Sequence, residues 1–220
     1  YASNSGANSA LIINPNNPTG IFIPRDSICL ILESLKALDL VIVDESFIDF
    51  VGSESHPSVM DRINDFPNLV IIKSLSKSYG IAGLRLGYAV SSNREIISNL
   101  RKDVPIWSIN SLAQFFLEQM GSYRKEFLQS CIDVRAATQS LYRGLSSISY
   151  LHAYPSEGNF VLCRTLSDWT ASDLTDRLFS KFGILINDCS RKNGLDNSFV
   201  RIASRTQEEN TELVEALKVL

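Results

Sequence analysis

The sequence has few of the residues that build metal centres or cross-linked folds. Its 220 residues include 4 cysteines and 2 histidines. The cysteines are scattered, at Cys29, Cys131, Cys163 and Cys189. No two of them form a Cys-x-x-Cys pair, and neither His56 nor His152 has a cysteine or a paired carboxylate at ligand spacing. We therefore predict no metal site, and we expect free thiols in a reducing, cytoplasmic environment.

Long apolar runs and a strong net charge are also lacking. No apolar run approaches the roughly 20 residues that cross a bilayer, and residues 1–9 have neither the basic nor the apolar region of a signal peptide. The formal net charge of -3 disfavours binding to nucleic acids or anionic membranes. No G-x-G-x-x-G motif opens a helix after a strand, which disfavours a dinucleotide site.

Apolar runs alternate with helical patterns in the first half of the chain. This alternation is typical of βα units on a mostly parallel sheet, and it predicts a three-layer α/β domain. We predict strands at residues 10–13, 40–43, 69–72 and 86–90. Helices are predicted at residues 26–38, capped by Asp26, and at residues 94–101.

The pattern changes after Trp107. Helices are predicted at residues 111–120, 123–145, 172–182 and from Gln207, and strands at 149–153, 159–164, 184–186 and 199–203. This order predicts a smaller C-terminal α+β domain. We therefore assign residues 1–110 to part of a large domain, residues 111–145 to linking helices, and residues 146–220 to the small domain.

Polar motifs follow three of the predicted strands in the first half. Asn17 lies in the turn NPNNPTG (residues 14–20), Asp44 begins DESF, and Lys77 lies in SLSKSYGIAGLRLGY (residues 74–88). Taken singly, these residues fit a surface turn, a helix cap or salt bridge, and a solvated lysine. The carboxyl ends of parallel strands meet at one edge of a sheet, however, where α/β folds bind their ligands.

Together these motifs match the needs of pyridoxal phosphate. That cofactor needs a lysine for its Schiff base, a carboxylate to keep the ring nitrogen protonated, a donor to the ring hydroxyl and a polar phosphate cup. Lys77, Asp44 and Asn17 can supply the first three. The phosphate cup is predicted from Ser74, Ser76 and Arg85. The sequence therefore predicts a pyridoxal-phosphate site.

The same three motifs closely resemble those of the class I/II aminotransferase superfamily, the fold-type-I pyridoxal-phosphate enzymes. The resemblance implies that Lys77 holds the cofactor and shuttles the proton, that Asp44 partners the ring nitrogen, and that Asn17 contacts the ring hydroxyl. It implies cofactor-phosphate contacts from Ser74, Ser76 and Arg85. Phe47 occupies a cofactor-binding position that is a tyrosine in much of the superfamily, so a hydroxyl donor is missing there.

Two groups within the superfamily are most similar, the threonine-phosphate decarboxylases and the histidinol-phosphate aminotransferases. The segments at residues 44–50, 105–113, 184–189 and 194–205 resemble the decarboxylases more, and residues 201–210 also resemble the aminotransferases. The resemblance implies that Arg201 grips the substrate carboxylate and that Asn159 lines the pocket. Arg205 is a further substrate-binding candidate, with an exposed residue at a strand end as the alternative.

One departure concerns the substrate. Both groups usually carry an arginine for the substrate phosphate at the position of Asn187, and an amide cannot replace its charge. Either Arg191 or Lys192 reaches in from the following loop, or the substrate carries no phosphate. The sequence does not decide between decarboxylation and transamination as the reaction.

Members of the superfamily are longer than this chain. The resemblance implies further N-terminal strands, a ring-stacking aromatic residue and a glycine-containing phosphate loop outside these residues, so we expect part of a longer protein. It also implies a homodimer. The non-enzymatic alternative is an inactive fragment or scaffold that keeps the motifs without binding the cofactor.

Overall fold

The computed structural model describes residues 6–220. The segment 1–9, which is predicted not to be a signal peptide, lies partly outside the described residues. The chain divides into two compact units. The first comprises Tyr1–Pro15 and Ile23–Cys131, and the second comprises Asn16–Phe22 and Ile132–Leu220. Among the described helices, none is long and apolar enough to cross a membrane.

A four-stranded sheet forms the centre of the first unit. Its strands are β1 (Ser9–Ile13), β2 (Leu40–Asp44), β3 (Leu69–Ser74) and β4 (Gly87–Val90), in the order β1-β2-β3-β4. The β1–β2 and β2–β3 pairs are parallel, and β4 runs antiparallel to β3. This arrangement confirms the predicted, mostly parallel sheet.

Four α-helices lie wholly within the described part of the first unit, which also contains short 3₁₀ helices. They are α1 (Arg25–Ser34), α2 (Leu75–Ser78), α3 (Arg94–Asp103) and α4 (Ser111–Gln119). Ile28 and Leu32 of α1 are buried against apolar residues of the three parallel strands. Each such burial contributes about 1.5–3 kcal/mol, so this helix face fixes α1 on the sheet.

The predicted limits of the first helix are wrong at both ends. Asp26 is not its cap, because the helix begins one residue earlier, after Pro24, and Glu54 Oε2 accepts the first N–H of the helix, that of Arg25, at 3.1 Å. Pro24 suits this place because its φ is fixed near the helical value. At the other end α1 stops at Ser34, and Asn68 Nδ2 donates to two carbonyls of the following turn, those of Leu35 and Leu38. These bonds supply partners outside the helix for groups that a longer helix would have paired.

A second four-stranded sheet, antiparallel throughout, forms the centre of the second unit. Its strands are β5 (Leu151–Ala153), β6 (Phe160–Thr165), β7 (Asn187–Asp188) and β8 (Phe199–Ala203), in the order β5-β6-β8-β7. The helices are α6 (Ala171–Phe182), α7 (Gln207–Lys218) and the end of α5 (Arg124–Ser146), which begins in the first unit. The predicted α+β composition is confirmed.

The strand predicted at residues 184–186 is wrong by three positions. Gly183 ends α6 in the left-handed conformation with a φ of 68°, and the N–H of Ile184 donates back to Leu178 O. This closure commits the backbone to the helix end. Ladder pairing with β8 therefore begins only at Asn187.

The turn at residues 14–20 is divided between the units. Its second part belongs to Asn16–Phe22, which packs in the second unit, where Gly20 O accepts the N–H of Glu157 at 2.9 Å. Asn17 is thus grouped with the second unit. The other boundary falls inside α5, at Cys131, which places α4 in the first unit. The domain ranges assigned from sequence stay a prediction.

Candidate functional site

Asp44 is the last residue of β2, at the carboxyl edge of the first sheet. Its Oδ1 accepts the N–H of Ser46 at 2.9 Å, which orients the carboxylate. Within residues 6–220 no lysine, arginine or histidine nitrogen lies within 4.0 Å of this carboxylate. A half-buried carboxylate without a cation is costly, so Asp44 is suited to a positively charged ligand.

Lys77 lies on α2, the single helical turn that follows β3 directly. Ser74 caps this turn, and its Oγ accepts the N–H of Ser76 at 3.3 Å. Lys77 is exposed, and its amine makes no hydrogen bond or ion pair with any residue that the structure describes. The turn thus presents one unpaired amine beside two serine hydroxyls.

Arg85 follows a short 3₁₀ turn and has left-handed backbone geometry, with a φ of 58°. For a residue with a side chain this conformation carries strain, which is often found where a ligand is bound. One Nη1–H of Arg85 donates to Ala82 O at 3.1 Å, and Nε and Nη2 remain as donors. The N–H of Leu75 donates to Leu86 O at 3.0 Å and joins the Arg85 segment to the turn that carries Lys77.

Phe47 is 6% exposed and belongs to the buried residues that follow β2. It supplies an aromatic surface without a hydroxyl group. Its role toward a cofactor stays a prediction.

Sequence reasoning missed two residues between Asp44 and Phe47. Ser46 is buried, and its Oγ accepts the N–H of Ser74 at 3.0 Å. Glu45 is also buried, and its carboxylate accepts Ser58 Oγ–H at 2.6 Å and Val59 N–H at 2.9 Å. The sequence feature that could have identified Glu45 and Ser46 is the run of three polar residues, 44–46, directly after the apolar residues 40–43.

Burial raises the pKa of the Glu45 carboxyl above its usual value of 4.5, although both hydrogen bonds act in the opposite direction. Lys73 favours the charged form and Asp49 disfavours it. These two residues form an ion pair of their own, Nζ to Oδ1 at 2.6 Å. Glu45 is thus a structural carboxyl that anchors the loop at Ser58.

In the second unit, Arg201 and Asn17 lie in direct contact. Arg201 Nη1 donates to Asn17 Oδ1 at 2.7 Å, and the guanidinium lies over the ring of Phe160, 5.2 Å from its centroid. Arg201 Nε is buried and has no hydrogen-bond partner among the described residues. Because an arginine can bind a carboxylate through two parallel N–H groups, this guanidinium can accept an anion.

The other predicted substrate residues differ in their surroundings. Asn159 is half-buried, and its carbonyl accepts the N–H of Ser204 at 2.9 Å. Arg205 is exposed, and its Nε donates to Glu209 Oε1 at 2.8 Å. This contact places Arg205 at the start of α7, and its substrate role stays a prediction.

Asn187 lies directly opposite Arg201 in the β7–β8 ladder. Residues that face each other across an antiparallel pair point to the same side of the sheet, so the amide and the guanidinium are neighbours on one face. Arg191 and Lys192 are exposed in the turn that follows β7. Their part in phosphate binding stays a prediction.

The family model described as "Aminotransferase class I and II" matches residues 3–217. The chain belongs to this family. Enzymes of the class I/II aminotransferase family depend on pyridoxal phosphate, and the family predicted from the motifs is confirmed.

The relatives of this aminotransferase-family chain include both predicted groups. It is 34% identical over 229 residues to L-serine phosphate decarboxylase of Campylobacter jejuni, covering 99% of this chain and 57% of that protein. It is 38% identical over 209 residues to histidinol-phosphate aminotransferase of Caldanaerobacter subterraneus, covering 94% and 55%. The solved structure of L-threonine-O-3-phosphate decarboxylase from Porphyromonas gingivalis matches with a TM-score of 0.86 at 27% identity, covering 98% of this chain and 65% of that one.

The chain spans about half the length of the curated relatives it matches. For the residues present, the matches confirm the resemblance to decarboxylases of phosphorylated amino acids and to histidinol-phosphate aminotransferases.

Proposed function

We propose that the whole protein is a pyridoxal-phosphate enzyme that acts at the α-carbon of an amino acid. The observation that carries this proposal lies in the first unit. A carboxylate without a cation, Asp44, ends β2, and an amine without a partner, Lys77, lies just beyond the adjacent parallel strand β3. An anion and a reactive amine on neighbouring strand ends are what this cofactor requires.

The donor set of the first unit fits the cofactor. When bound, pyridoxal phosphate withdraws electrons from the bonds at the α-carbon of the amine attached to it. The Asp44 carboxylate would hold a proton on the ring nitrogen, and the Lys77 amine would bind the cofactor covalently and move a proton at the α-carbon. The hydroxyls and N–H groups that would hold the phosphate belong to Ser74, Ser76 and Arg85. Phe47 would contact the ring without donating a hydrogen bond.

The proposal assigns substrate recognition to Arg201. Its Nη1 is engaged by Asn17, and the guanidinium keeps further N–H groups that would bind the α-carboxylate of an amino acid. The Asn17 amide keeps its Nδ2–H groups, one of which would donate to the ring hydroxyl. Asn159 and Arg205 are the further substrate-binding candidates.

We propose decarboxylation as the reaction, with transamination as the alternative. The two reactions differ in which bond of the α-carbon is cleaved, that to the carboxylate or that to hydrogen. Relatives of both kinds share this chain's motifs, and the similarity to L-serine phosphate decarboxylase over 99% of the chain favours the first. We further propose a homodimer in the cytoplasm.

The decisive experiment uses the full-length protein. Pyridoxal phosphate should bind the wild type with a visible absorbance that borohydride removes, and Lys77→Ala should abolish both. Lys102→Ala, an exposed lysine on α3, is the matched control and should bind normally. Normal cofactor behaviour in Lys77→Ala would exclude the proposed site, and a wild type that binds no cofactor would support the inactive scaffold.

A panel of amino acids and O-phosphorylated amino acids then identifies the reaction. Release of carbon dioxide supports the decarboxylase, and formation of a keto acid supports the transaminase. Comparison of each phosphorylated substrate with its unphosphorylated form measures how much the phosphate contributes to recognition.

A further inference from the structure

We propose that Ser46 is a positioning residue that fixes the turn bearing Lys77 relative to Asp44. This inference rests on the proposed function, because it concerns two groups that the cofactor requires. Ser46 is 7% exposed, so its hydroxyl is not a surface group.

A series of three hydrogen bonds connects Asp44 to the Lys77 turn. Asp44 Oδ1 accepts Ser46 N–H at 2.9 Å, Ser46 Oγ accepts Ser74 N–H at 3.0 Å, and Ser74 Oγ accepts Ser76 N–H at 3.3 Å. Ser76 precedes Lys77 directly. Each bond joins a backbone N–H to a side-chain oxygen, so the positions of the backbone and of the side chains depend on each other.

The Ser46 hydroxyl is the one member of this series that passes between the two strands. The β2–β3 ladder pairs Asp44 with Ile72, and Glu45 N–H donates to Ile72 O at 2.9 Å. The Ser46–Ser74 bond lies two residues further along β3 and links the end of that strand to the segment that follows β2. Without it, the end of β3 would be held to β2 only through residues that precede Ser74.

Replacement of Ser46 by alanine would remove the acceptor for the Ser74 N–H. A lost hydrogen bond of this kind corresponds to about threefold to tenfold in an equilibrium constant. Because the bond lies between Asp44 and the Lys77 turn, we expect that loss to appear in cofactor affinity as well as in stability.

The test uses Ser46→Ala and Ser46→Thr in the full-length protein, with Ser91→Ala as the matched control. Ser91 follows β4 in the same unit, and its hydroxyl, like that of Ser46, accepts a backbone N–H, that of Asn93 at 3.2 Å, while it also donates to Leu69 O at 2.7 Å. Two properties are measured, the amide hydrogen exchange of Ser74 in cofactor-free protein and the dissociation constant of pyridoxal phosphate.

Ser46→Ala should accelerate exchange at Ser74 and weaken cofactor binding about threefold to tenfold. Ser46→Thr keeps the hydroxyl, so Ser74 exchange and cofactor affinity should stay near their wild-type values. Ser91→Ala should lower thermal stability without altering the exchange of Ser74 or the affinity for the cofactor. The inference is overturned if exchange or affinity is unchanged in Ser46→Ala, or if Ser91→Ala reproduces the effect. If the wild type binds no cofactor, the proposed function fails, and the exchange measurement still decides whether Ser46 holds the Ser74 backbone.

Discussion

Arg201 and Asn17, 184 positions apart in the chain, are joined by a hydrogen bond of 2.7 Å from Nη1 to Oδ1. The bond orients both groups, because an amide whose oxygen accepts from arginine presents its NH₂ group as a donor elsewhere. The guanidinium in turn keeps N–H groups that are not bonded to Asn17. In the proposed site, this one contact would orient the Asn17 amide toward the ring hydroxyl and the Arg201 guanidinium toward a carboxylate.

Arg201→Lys should mainly weaken substrate binding. Lysine keeps the charge but cannot bridge Asn17 and a carboxylate through a planar fork. We expect kcat/KM for the preferred amino acid to fall by about 10- to 100-fold, mostly through KM. Arg164→Lys, on the neighbouring strand β6 and exposed, should change kcat/KM by less than about twofold. Equal losses in the two variants would show that Arg201 has no special role.

Asp44→Asn tests the carboxylate at the end of β2. The amide oxygen can still accept Ser46 N–H, so the local backbone should be retained, but the negative charge is lost. We expect kcat to fall by at least about 100-fold, since the electron-withdrawing form of the cofactor needs a protonated ring nitrogen. Asp61→Asn, which breaks an exposed ion pair with Arg25, should retain full activity. Steady-state kinetics and circular dichroism separate catalysis from folding, and an active Asp44→Asn enzyme would refute the role.

Gly20→Ala tests the turn that carries Asn17. Gly20 has a φ of 72°, and an added Cβ would lie 2.0 Å from Ser156 Oγ and 2.5 Å from its Cβ. Both the positive φ and this clash oppose alanine, so the free energy of unfolding should fall by about 1–3 kcal/mol. Substrate affinity should fall with it, because Asn17 is displaced. The double variant with Ser156→Gly should regain part of the stability, and failure to do so would locate the strain in the φ angle alone.

Glu45 makes the stability of the first unit depend on pH. Its pKa is raised in the folded protein by burial, so the native state binds the proton more tightly than the unfolded chain does. Its contribution to stability is then fully present below the unfolded pKa, about 4.5, and is lost as the pH rises through the folded pKa.

Glu45→Gln should flatten this pH dependence, since glutamine does not titrate. The measurement is the free energy of unfolding by urea at several pH values above 4.5. We expect wild-type stability to decline with rising pH more steeply than that of the variant. Parallel curves would mean that Glu45 titrates alike in both states. Ser58→Ala, which removes one hydrogen bond to the carboxylate, should steepen the decline, because that bond favours the charged form.

Several elements could be predicted from local sequence because their physics is local. The strand at Phe199–Ala203 and the start of α7 at Gln207 agree with the structure, since apolar alternation and the Thr206–Glu209 capping box act within a few residues. The errors have both local and distant causes: the closure at Gly183 keeps residues 184–186 at the end of α6, and a distant side chain ends the turn after α1. Asn68 caps the turn after α1, and pairing with β8 set the start of β7.

The sequence by itself determined the family, because its motifs closely resemble that family's, and it determined which residue types the proposed cofactor site can offer: an amide, a carboxylate, hydroxyl groups and a lysine, in that order along the chain. Only the tertiary structure decided how those residues are held. Ser46 reaches Ser74 across 28 positions, and Arg201 reaches Asn17 across 184. Such bonds depend on which strands pair and in which register, and a linear pattern does not specify the partner of a single polar side chain.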